Sequence, residues 1–222
     1  MTTPLPLLLA SASPRRRQIL QLLDLPNTVC ALSIDEDAAQ ERFRGPAEEM
    51  APWLAKHKAA AALKLPEAVG RLVITADTTV LLYGEILGKP QDEAHAHALL
   101  RALRGRWHHV VTGIAVSQNI DGKHKIQAAS CITPVLMRNY NEAEIDAYIA
   151  SSDPMDKAGA YGIQHPAFQP TERIDGCYFN VVGLPLCVLV DLLAEFNVYP
   201  VVASREQGNQ EMACPWSEKC SI

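Results

Sequence analysis

The chain has 222 residues, of which 48% are hydrophobic, and its formal net charge at pH 7 is -5. This length and apolar content suffice for one domain with a sizeable core. The negative charge argues against a general nucleic-acid or membrane-surface binder, because such proteins present a broad basic surface. No apolar run approaches the roughly 20 residues that cross a bilayer, and the N-terminus does not have the charge order of a signal peptide. We therefore expect a cytoplasmic protein in which any anion site is local.

The N-terminal part of the chain predicts alternating strands and helices. The apolar run over 4–10, "PLPLLLA", predicts a strand buried on both faces, because apolar residues follow one another without alternation. Ser13, a favoured N-cap followed by a proline, predicts the start of a helix. A second strand is predicted at 28–33. The alanine-rich segment 46–65 predicts a helix with a break or kink at Pro52.

The rest of the chain adds strands in its centre and helices around them. The predicted elements are a strand at 71–84, a turn over "GEILGKP", a helix at 91–104, two strands joined at Asp121-Gly122, a helix at 141–151, a strand region to about 182 and a helix at 184–196. This order predicts an α/β fold with a mixed, twisted sheet and surrounding helices.

A domain over residues 1–196 and a flexible C-terminal tail over 197–222 are predicted, because apolar periodicity is lost after 196. The six cysteines are scattered without metal-ligand spacing, and most are predicted to be reduced core residues. We favour a nonfunctional C-terminal end. The alternative is that Cys214 and Cys220 form a disulfide or bind a metal.

Three adjacent arginines follow Ser13 at the predicted helix start. Arg15 and Arg16 fall in the first helical turn, where the positive end of the helix dipole favours an acid. Such conflicts between local preference and position tend to collect at functional sites. A Ser-rich turn with guanidinium groups suits phosphate, so we predict an anion site. The alternative, solvated arginines, stays open for this pair and is favoured for Arg17.

Acidic and basic side chains elsewhere fit the same chemistry. Asp77 lies among apolar residues in "VITADTTVLL", where an ionised carboxylate needs partners or a metal; capping of a turn or bulge is the alternative. Lys58 and Lys89 would each, taken alone, be solvated. Glu36, placed at the end of the second strand, is a candidate ligand for Mg²⁺ or Mn²⁺, and its acidic neighbours are expected to be solvated. Such a set suits phosphate-ester chemistry.

The histidines and the missing motifs exclude other chemistries. His95 and His97 do not share a helix face, and His108 and His109 point to opposite faces of a strand, so neither pair chelates one metal. The sequence contains no GxSxG, HExxH, GxxxxGK[ST] or GxGxxG motif. These absences remove the commonest hydrolase, protease, P-loop and dinucleotide-binding interpretations.

Four motifs in order resemble the Maf family of nucleoside triphosphate pyrophosphatases: "LLLASASPRRR", "ADTTVLLYGEILGKP", "LRGRWHHVVTGIAV", and "DPMDKAGAYGIQ" followed by "NVVGLPL". The resemblance spans residues 7–196. It implies a mixed α/β fold with two lobes flanking a cleft, as in inosine triphosphate pyrophosphatases, and a homodimer. It also implies hydrolysis of a nucleoside triphosphate to a monophosphate and pyrophosphate with Mg²⁺ or Mn²⁺. The "ADT" and "AGAYGIQ" versions resemble the branch that acts on dTTP and UTP.

The resemblance also implies roles for individual residues. Asp77 resembles the catalytic carboxylate, as general base toward water, as metal ligand or as both, and Glu36 resembles a metal-associated acid. The positions implied to grip the triphosphate are Ser11, Arg15, Arg16, Lys58 and Lys89. Those implied to select the base are Arg15 or Arg16, Thr78 and Gln164. The family typically places glycine after this glutamine, whereas His165-Pro166 stands here and restricts the loop.

Two other function classes remain as alternatives. A non-catalytic nucleotide-binding regulator of cell division or septum formation would have no need for Asp77 in an apolar strand. A nucleic-acid-binding protein would use the same arginines, but the net negative charge and the lack of a basic stripe with aromatics argue against it.

Overall fold

A mixed seven-stranded sheet forms the centre of residues 5–200, the part of the chain that the computed structural model describes. The strands are β1 (Leu7–Ala10), β2 (Asn27–Cys30), β3 (Leu72–Leu82), β4 (Glu85–Leu87), β5 (Trp107–Ile120), β6 (Lys123–Met137) and β7 (Thr171–Ile174). Their order is β2-β1-β3-β5-β6-β7, and β4 pairs with β3. β1 is parallel to β2 and β3, and the other pairs are antiparallel. The predicted α/β class with a mixed sheet is confirmed.

Helices cover both faces of this sheet. They are α1 (Pro14–Leu20), α2 (Glu36–Arg42), α3 (Met50–Ala62), α4 (Glu93–Leu103), α5 (Glu142–Ala150), α6 (Tyr178–Val182) and α7 (Leu186–Ala194). On one face, α1, α6 and α7 pack an apolar cluster against β1 and the first half of β3, and α4 and α5 pack a second cluster farther along. On the opposite face, α3 lies across β3, β5 and β6. The two clusters form the cores of the two expected lobes.

One edge of β3 is paired only at its two ends within residues 5–200. β1 pairs with Leu72–Ile74 on this edge, and β4 pairs with Val80–Leu82. The segment between them keeps its partner β5 on the other edge. Because side chains alternate along a strand, Asp77 points toward α3 and Thr78 points toward α1 and α6. β3 therefore presents an acid and a hydroxyl at the same open edge.

The close approach of α3 to the sheet depends on Gly113 of β5, which lies directly across from Asp77. A Cβ atom at Gly113 would lie 2.2 Å from the backbone nitrogen of Pro52 and 2.4 Å from the carbonyl carbon of Ala51. Those are the first-turn residues of α3, so only glycine allows the helix to rest on the strand at this point.

Several local predictions are confirmed. Ser13 caps α1, accepting a hydrogen bond from the backbone N–H of Arg16 at 3.4 Å. Asp121 and Gly122, with φ values of 50° and 78°, form the hairpin turn between β5 and β6. His108 is buried and His109 is exposed, as opposite strand faces require.

Other predictions are wrong, each for a physical reason. Pro52 lies in the first turn of α3, where its missing N–H costs no helical hydrogen bond, so no kink is needed there. The segment "GEILGKP" contains β4, because Tyr83 and Gly84 take positive φ and turn the chain back along β3. The predicted strand region before 182 contains β7 and then α6, since β7 ends at Ile174 and Gly183 ends the helix in a left-handed conformation.

Within residues 5–200, no helix is long and apolar enough to cross a membrane. Cys214 and Cys220, with the predicted tail beyond residue 200, lie outside the described residues. The boundary between 196 and 197 stays a prediction.

We expect Gly113→Ala to destabilise the protein by about 3 kcal/mol, because a methyl group here pushes α3 off the sheet. Urea unfolding measures the change. Gly88→Ala is the matched control, since a Cβ atom at Gly88 meets nothing within 4 Å. Equal stability of the two variants would contradict the close approach of α3.

We expect His108 to make the stability depend on pH. Burial lowers the pKa of His108 from 6.5 to about 4. The folded protein therefore binds fewer protons than the unfolded chain between these values, so stability present above pH 6.5 is lost as pH falls toward 4, by about 3 kcal/mol in total. Urea unfolding across this range should show a shallower pH dependence for His108→Gln. The exposed His124→Gln should keep the wild-type slope.

Candidate active site

A cleft of about 890 Å³ opens at the unpaired part of the β3 edge, between the two lobes. Its walls come from the turn between β1 and α1, from α2 and α3, from β3 and from the loop over 153–166. The cleft brings together all nine side chains that the sequence singled out. These are Ser11, Arg15, Arg16, Glu36, Lys58, Asp77, Thr78, Lys89 and Gln164.

A buried lysine joins two acids at the bottom of this cleft. The Nζ atom of Lys58 lies 2.7 Å from Oδ1 of Asp77 and 2.8 Å from Oε1 of Glu36. Only 8% of Lys58 and 9% of Asp77 are exposed, so the ammonium group offsets the desolvation of the carboxylate. The lysine that looks solvated in the sequence is therefore the partner that the buried aspartate needs.

Glu36 is brought to the cleft by α2, which the sequence did not predict. It is the first residue of that helix, whereas the preceding strand already ends at Cys30. Asp35 caps the helix by accepting a hydrogen bond from the backbone N–H of Ala38 at 2.9 Å. Burial alone would raise the pKa of Glu36, but the hydrogen bond and charge of Lys58, with smaller effects from Lys89 and Arg16, hold it below its usual value.

Arg16 is fixed at the open edge by neutral acceptors. Its Nε atom donates to the carbonyl oxygen of Gly183 at 2.8 Å, and one terminal nitrogen donates to the carbonyl oxygen of Ala76 at 2.9 Å. The other terminal nitrogen donates to Oγ1 of Thr78 at 3.0 Å. Burial lowers the pKa of this guanidinium, and the negative charges of Asp77 and Glu36 oppose that effect. The residue thus holds a rigid positive charge beside β3.

The other polar side chains near the start of α1 differ in their exposure and in their partners. Ser11 is buried, and its Oγ atom accepts a hydrogen bond from the backbone N–H of Ser13 at 3.2 Å. Arg15 is partly exposed and lies 3.9 Å from Asp156, a weak ion pair across the cleft. Arg17 is exposed, in agreement with its predicted place in solvent.

A set of ion pairs and hydrogen bonds holds the loop that carries Gln164. The ammonium group of Lys157 lies 2.9 Å from Asp153 and 2.7 Å from Asp156. The hydroxyl of Tyr148 donates to the other oxygen of Asp153 at 2.7 Å. Gln164 itself is exposed on the cleft wall, where its amide is accessible. Sequence reasoning missed these supporting residues because their charges look like those of an ordinary surface loop.

A buried polar network behind Thr78 was also missed. Its hydroxyl lies 2.9 Å from that of Thr112 on β5, which donates in turn to the carbonyl oxygen of Asn180 at 2.8 Å. Asn180 is fully buried in the apolar segment "NVVGLPL". A polar side chain in such a segment is the same signal that identified Asp77, so this asparagine was open to the same argument.

The acids of the cleft fit a cation that is shared with a substrate. No group of three His, Cys, Asp or Glu side chains within residues 5–200 is arranged to hold a metal ion alone. Glu36 and Asp77 supply two carboxylates, however, and Mg²⁺ is commonly held by one or two carboxylates together with substrate phosphates and water. The donor set therefore suits a divalent ion that arrives with a polyphosphate.

Comparison with known proteins agrees with this geometry. Residues 6–196 match the Maf-like protein family. A dTTP/UTP pyrophosphatase of Thermomicrobium roseum is 44% identical over 90% of this chain and 88% of its own length. Those of Geobacter sulfurreducens and Moorella thermoacetica are 45% and 46% identical, over 83% and 86% of this chain and 93% and 95% of their own lengths. The match includes all elements that form the cleft and confirms the resemblance seen in the four motifs. The chain belongs to the Maf family.

Proposed function

We propose that this chain is a nucleoside triphosphate pyrophosphatase that hydrolyses dTTP and UTP to the monophosphate and pyrophosphate. The observation that carries the proposal is the buried Asp77 carboxylate, held by Lys58 at the bottom of a cleft lined with further cations. The relatives that match over most of the chain bear the name dTTP/UTP pyrophosphatase, which supports the choice of pyrimidine substrates.

The cations of the cleft are proposed to bind the triphosphate. Arg16 is preorganised, because its hydrogen bonds to neutral groups fix the guanidinium without neutralising it. Lys89 is exposed on the wall, Ser11 lies in the turn after β1, and Arg15 lies in the first turn of α1. A polyphosphate in the cleft would lower the mutual repulsion of these charges. Binding and orientation of the chain of phosphates supply much of the catalysis in phosphoryl transfer.

Asp77 is proposed to orient and deprotonate the attacking water. The water oxygen forms a bond to the α-phosphorus while the bond from this phosphorus to the bridging oxygen breaks, so pyrophosphate leaves in line with the attack. The proton of the water passes to the carboxylate of Asp77. Lys58 bonds Oδ1 of this carboxylate, which leaves Oδ2 as the proposed acceptor.

Glu36 and Asp77 are the residues proposed to hold Mg²⁺ or Mn²⁺. Such an ion supplies neutralisation of the charge that develops on the phosphate oxygens. Lys58 keeps Glu36 ionised, since its hydrogen bond lowers the pKa of that carboxyl group. The lysine thus prepares the carboxylate for cation binding.

We further propose that residues 1–196 carry the whole activity. The protein is proposed to act in the cytoplasm as a homodimer. Its proposed role is the removal of unwanted pyrimidine nucleotides. Sedimentation equilibrium tests the dimer, and assay of a chain ending at 196 tests the boundary. A purely regulatory binding protein is not favoured, because binding alone gives no reason to bury Asp77 beside Lys58.

Product analysis tests the proposed reaction. The protein is incubated with unmodified and modified nucleoside triphosphates and Mg²⁺ or Mn²⁺, and the products are separated. We expect pyrophosphate and a monophosphate, with dTTP and UTP turned over fastest. Orthophosphate with a diphosphate would show attack at the terminal phosphate, and absence of turnover across the panel would favour a binding protein.

We expect Asp77→Asn to retain the fold and nucleotide binding but to lose turnover by at least about 1,000-fold, because the amide cannot take the proton from water. Steady-state kinetics and isothermal titration with UTP measure the two effects. Asp37→Asn, which changes an exposed acid at the rim of the same cleft, is the control and should stay near wild type. Turnover of Asp77→Asn close to that of the control would remove Asp77 from its proposed role.

We expect Lys58→Met to lower kcat by at least about 100-fold and to move the acidic limb of the pH profile to higher pH. Without the ammonium group, the pKa of Glu36 rises, so a higher pH is needed to ionise it. Profiles of kcat/KM against pH measure the shift. Lys56→Met changes an exposed lysine on the same helix and should leave the profile in place. An unmoved acidic limb in Lys58→Met would contradict this role of the lysine.

A further inference from the structure

The hydroxyl groups of Thr78 and Thr112 form a hydrogen-bonded chain with a defined direction. At one end, a terminal nitrogen of Arg16 donates to Oγ1 of Thr78 at 3.0 Å. In the middle, the two threonine hydroxyls lie 2.9 Å apart. At the other end, Oγ1 of Thr112 lies 2.8 Å from the carbonyl oxygen of Asn180.

Simple donor and acceptor rules set that direction. A guanidinium group only donates, a carbonyl oxygen only accepts, and a threonine hydroxyl has one proton. The hydroxyl of Thr112 donates its one proton to the carbonyl oxygen of Asn180, so toward Thr78 it can only accept a hydrogen bond. The hydroxyl of Thr78 therefore donates its own proton to Oγ1 of Thr112. Toward the cleft, Thr78 has no proton left and can only accept a hydrogen bond.

The inner end of this chain is held firmly. Asn180 is fully buried, and its Oδ1 atom accepts from the backbone N–H of Thr112 at 3.1 Å. Its Nδ2 atom donates to the carbonyl oxygen of Val110 at 2.9 Å and to Oγ1 of Thr133 at 2.8 Å. These bonds fix the helix that carries the acceptor carbonyl against β5 and β6. The direction of the chain is thus built into the core and does not depend on solvent.

We propose that Thr112 and Asn180 are positioning residues that hold the hydroxyl of Thr78 as an acceptor and thereby favour a uracil or thymine ring over cytosine. The imide N–H of uracil and thymine donates to such an acceptor, whereas the corresponding nitrogen of cytosine is itself an acceptor. Thr78 is partly exposed on the cleft wall, where a substrate can reach it. The inference rests on the proposed pyrophosphatase activity and deepens it.

Thr112→Val tests the inference, because it removes the hydroxyl while keeping the shape of the side chain. The proton of Thr78 is then free to turn toward the cleft, and the residue becomes a donor. We expect the ratio of kcat/KM for UTP to that for CTP to fall by about tenfold. Thr112→Ser restores the hydroxyl and should restore the ratio. An unchanged ratio in a folded Thr112→Val protein would overturn the proposal.

Thr75→Val is the matched control for the loss of a buried hydroxyl. Thr75 is fully buried on β3 and donates to the carbonyl oxygen of Ala55 at 2.7 Å, on the opposite face from Thr112. The Thr75→Val variant should lose stability as Thr112→Val does, but it should keep the wild-type ratio of kcat/KM for UTP to that for CTP. An equal fall of the ratio in both variants would show a general loosening and would contradict a specific role for Thr112.

Neutron diffraction from the wild-type protein in D₂O tests the direction of the chain without any variant. We expect the deuterium of Thr112 to point at the carbonyl oxygen of Asn180 and that of Thr78 to point at Thr112. A Thr112 deuterium that points at Thr78 would overturn the inference even if Thr112→Val fails to fold. This measurement needs no turnover, so it decides the direction of the hydrogen-bonded chain even if the wild-type protein hydrolyses no triphosphate. Absence of hydrolysis would count against the proposed function alone.

Discussion

The contact of the Lys58 ammonium group with Asp77 and Glu36 is the interaction on which the site depends. Two carboxylates near each other repel, and burying either alone is costly, so the shared cation makes their proximity possible. It also requires that α2, α3 and β3 meet at one point. Gly113 permits that meeting, since it lets α3 lie against β5 directly across from Asp77. A methyl group added at Gly113 would push α3 away from the sheet face toward which Asp77 points, so this glycine is connected physically to the geometry of the cleft.

The alternation of side chains along β3 places Asp77 and Thr78 on opposite faces of the sheet. Asp77 faces α3 and the acids, and Thr78, the next residue, faces α1 and the buried threonine and asparagine network. Both meet the cleft because β1 and β4 pair only with the ends of this edge within the described residues. Arg16 occupies the gap between β1 and β4 and donates to the carbonyl oxygen of Ala76, which neither of these strands pairs with. One strand therefore carries the proposed reaction chemistry on one face and the proposed base selection on the other.

Some predictions from local patterns were confirmed, whereas others were wrong because they depended on where an element begins or on distant partners. The cap at Ser13 and the turn at Asp121-Gly122 were readable because each needs only neighbouring residues. Pro52 was expected to bend a helix, but the helix begins only two residues before it. The helix that carries Glu36 was missed, because its short acidic sequence has little apolar periodicity and gains stability from its cap and from Lys58.

By itself, the sequence determined the class of the fold, the family and the candidate residues, since strand and helix periodicity, caps and short motifs are local properties. It also marked Asp77 as anomalous, because an ionised group in an apolar strand needs a partner. Only the tertiary structure decided which partner, since Lys58 lies 19 residues away and looks like any helical lysine until the helix packs on the sheet. The same holds for Asn180, which lies 68 residues from Thr112 along the chain. Hydrogen-bond direction is a property of the assembled network and has no counterpart in a local pattern.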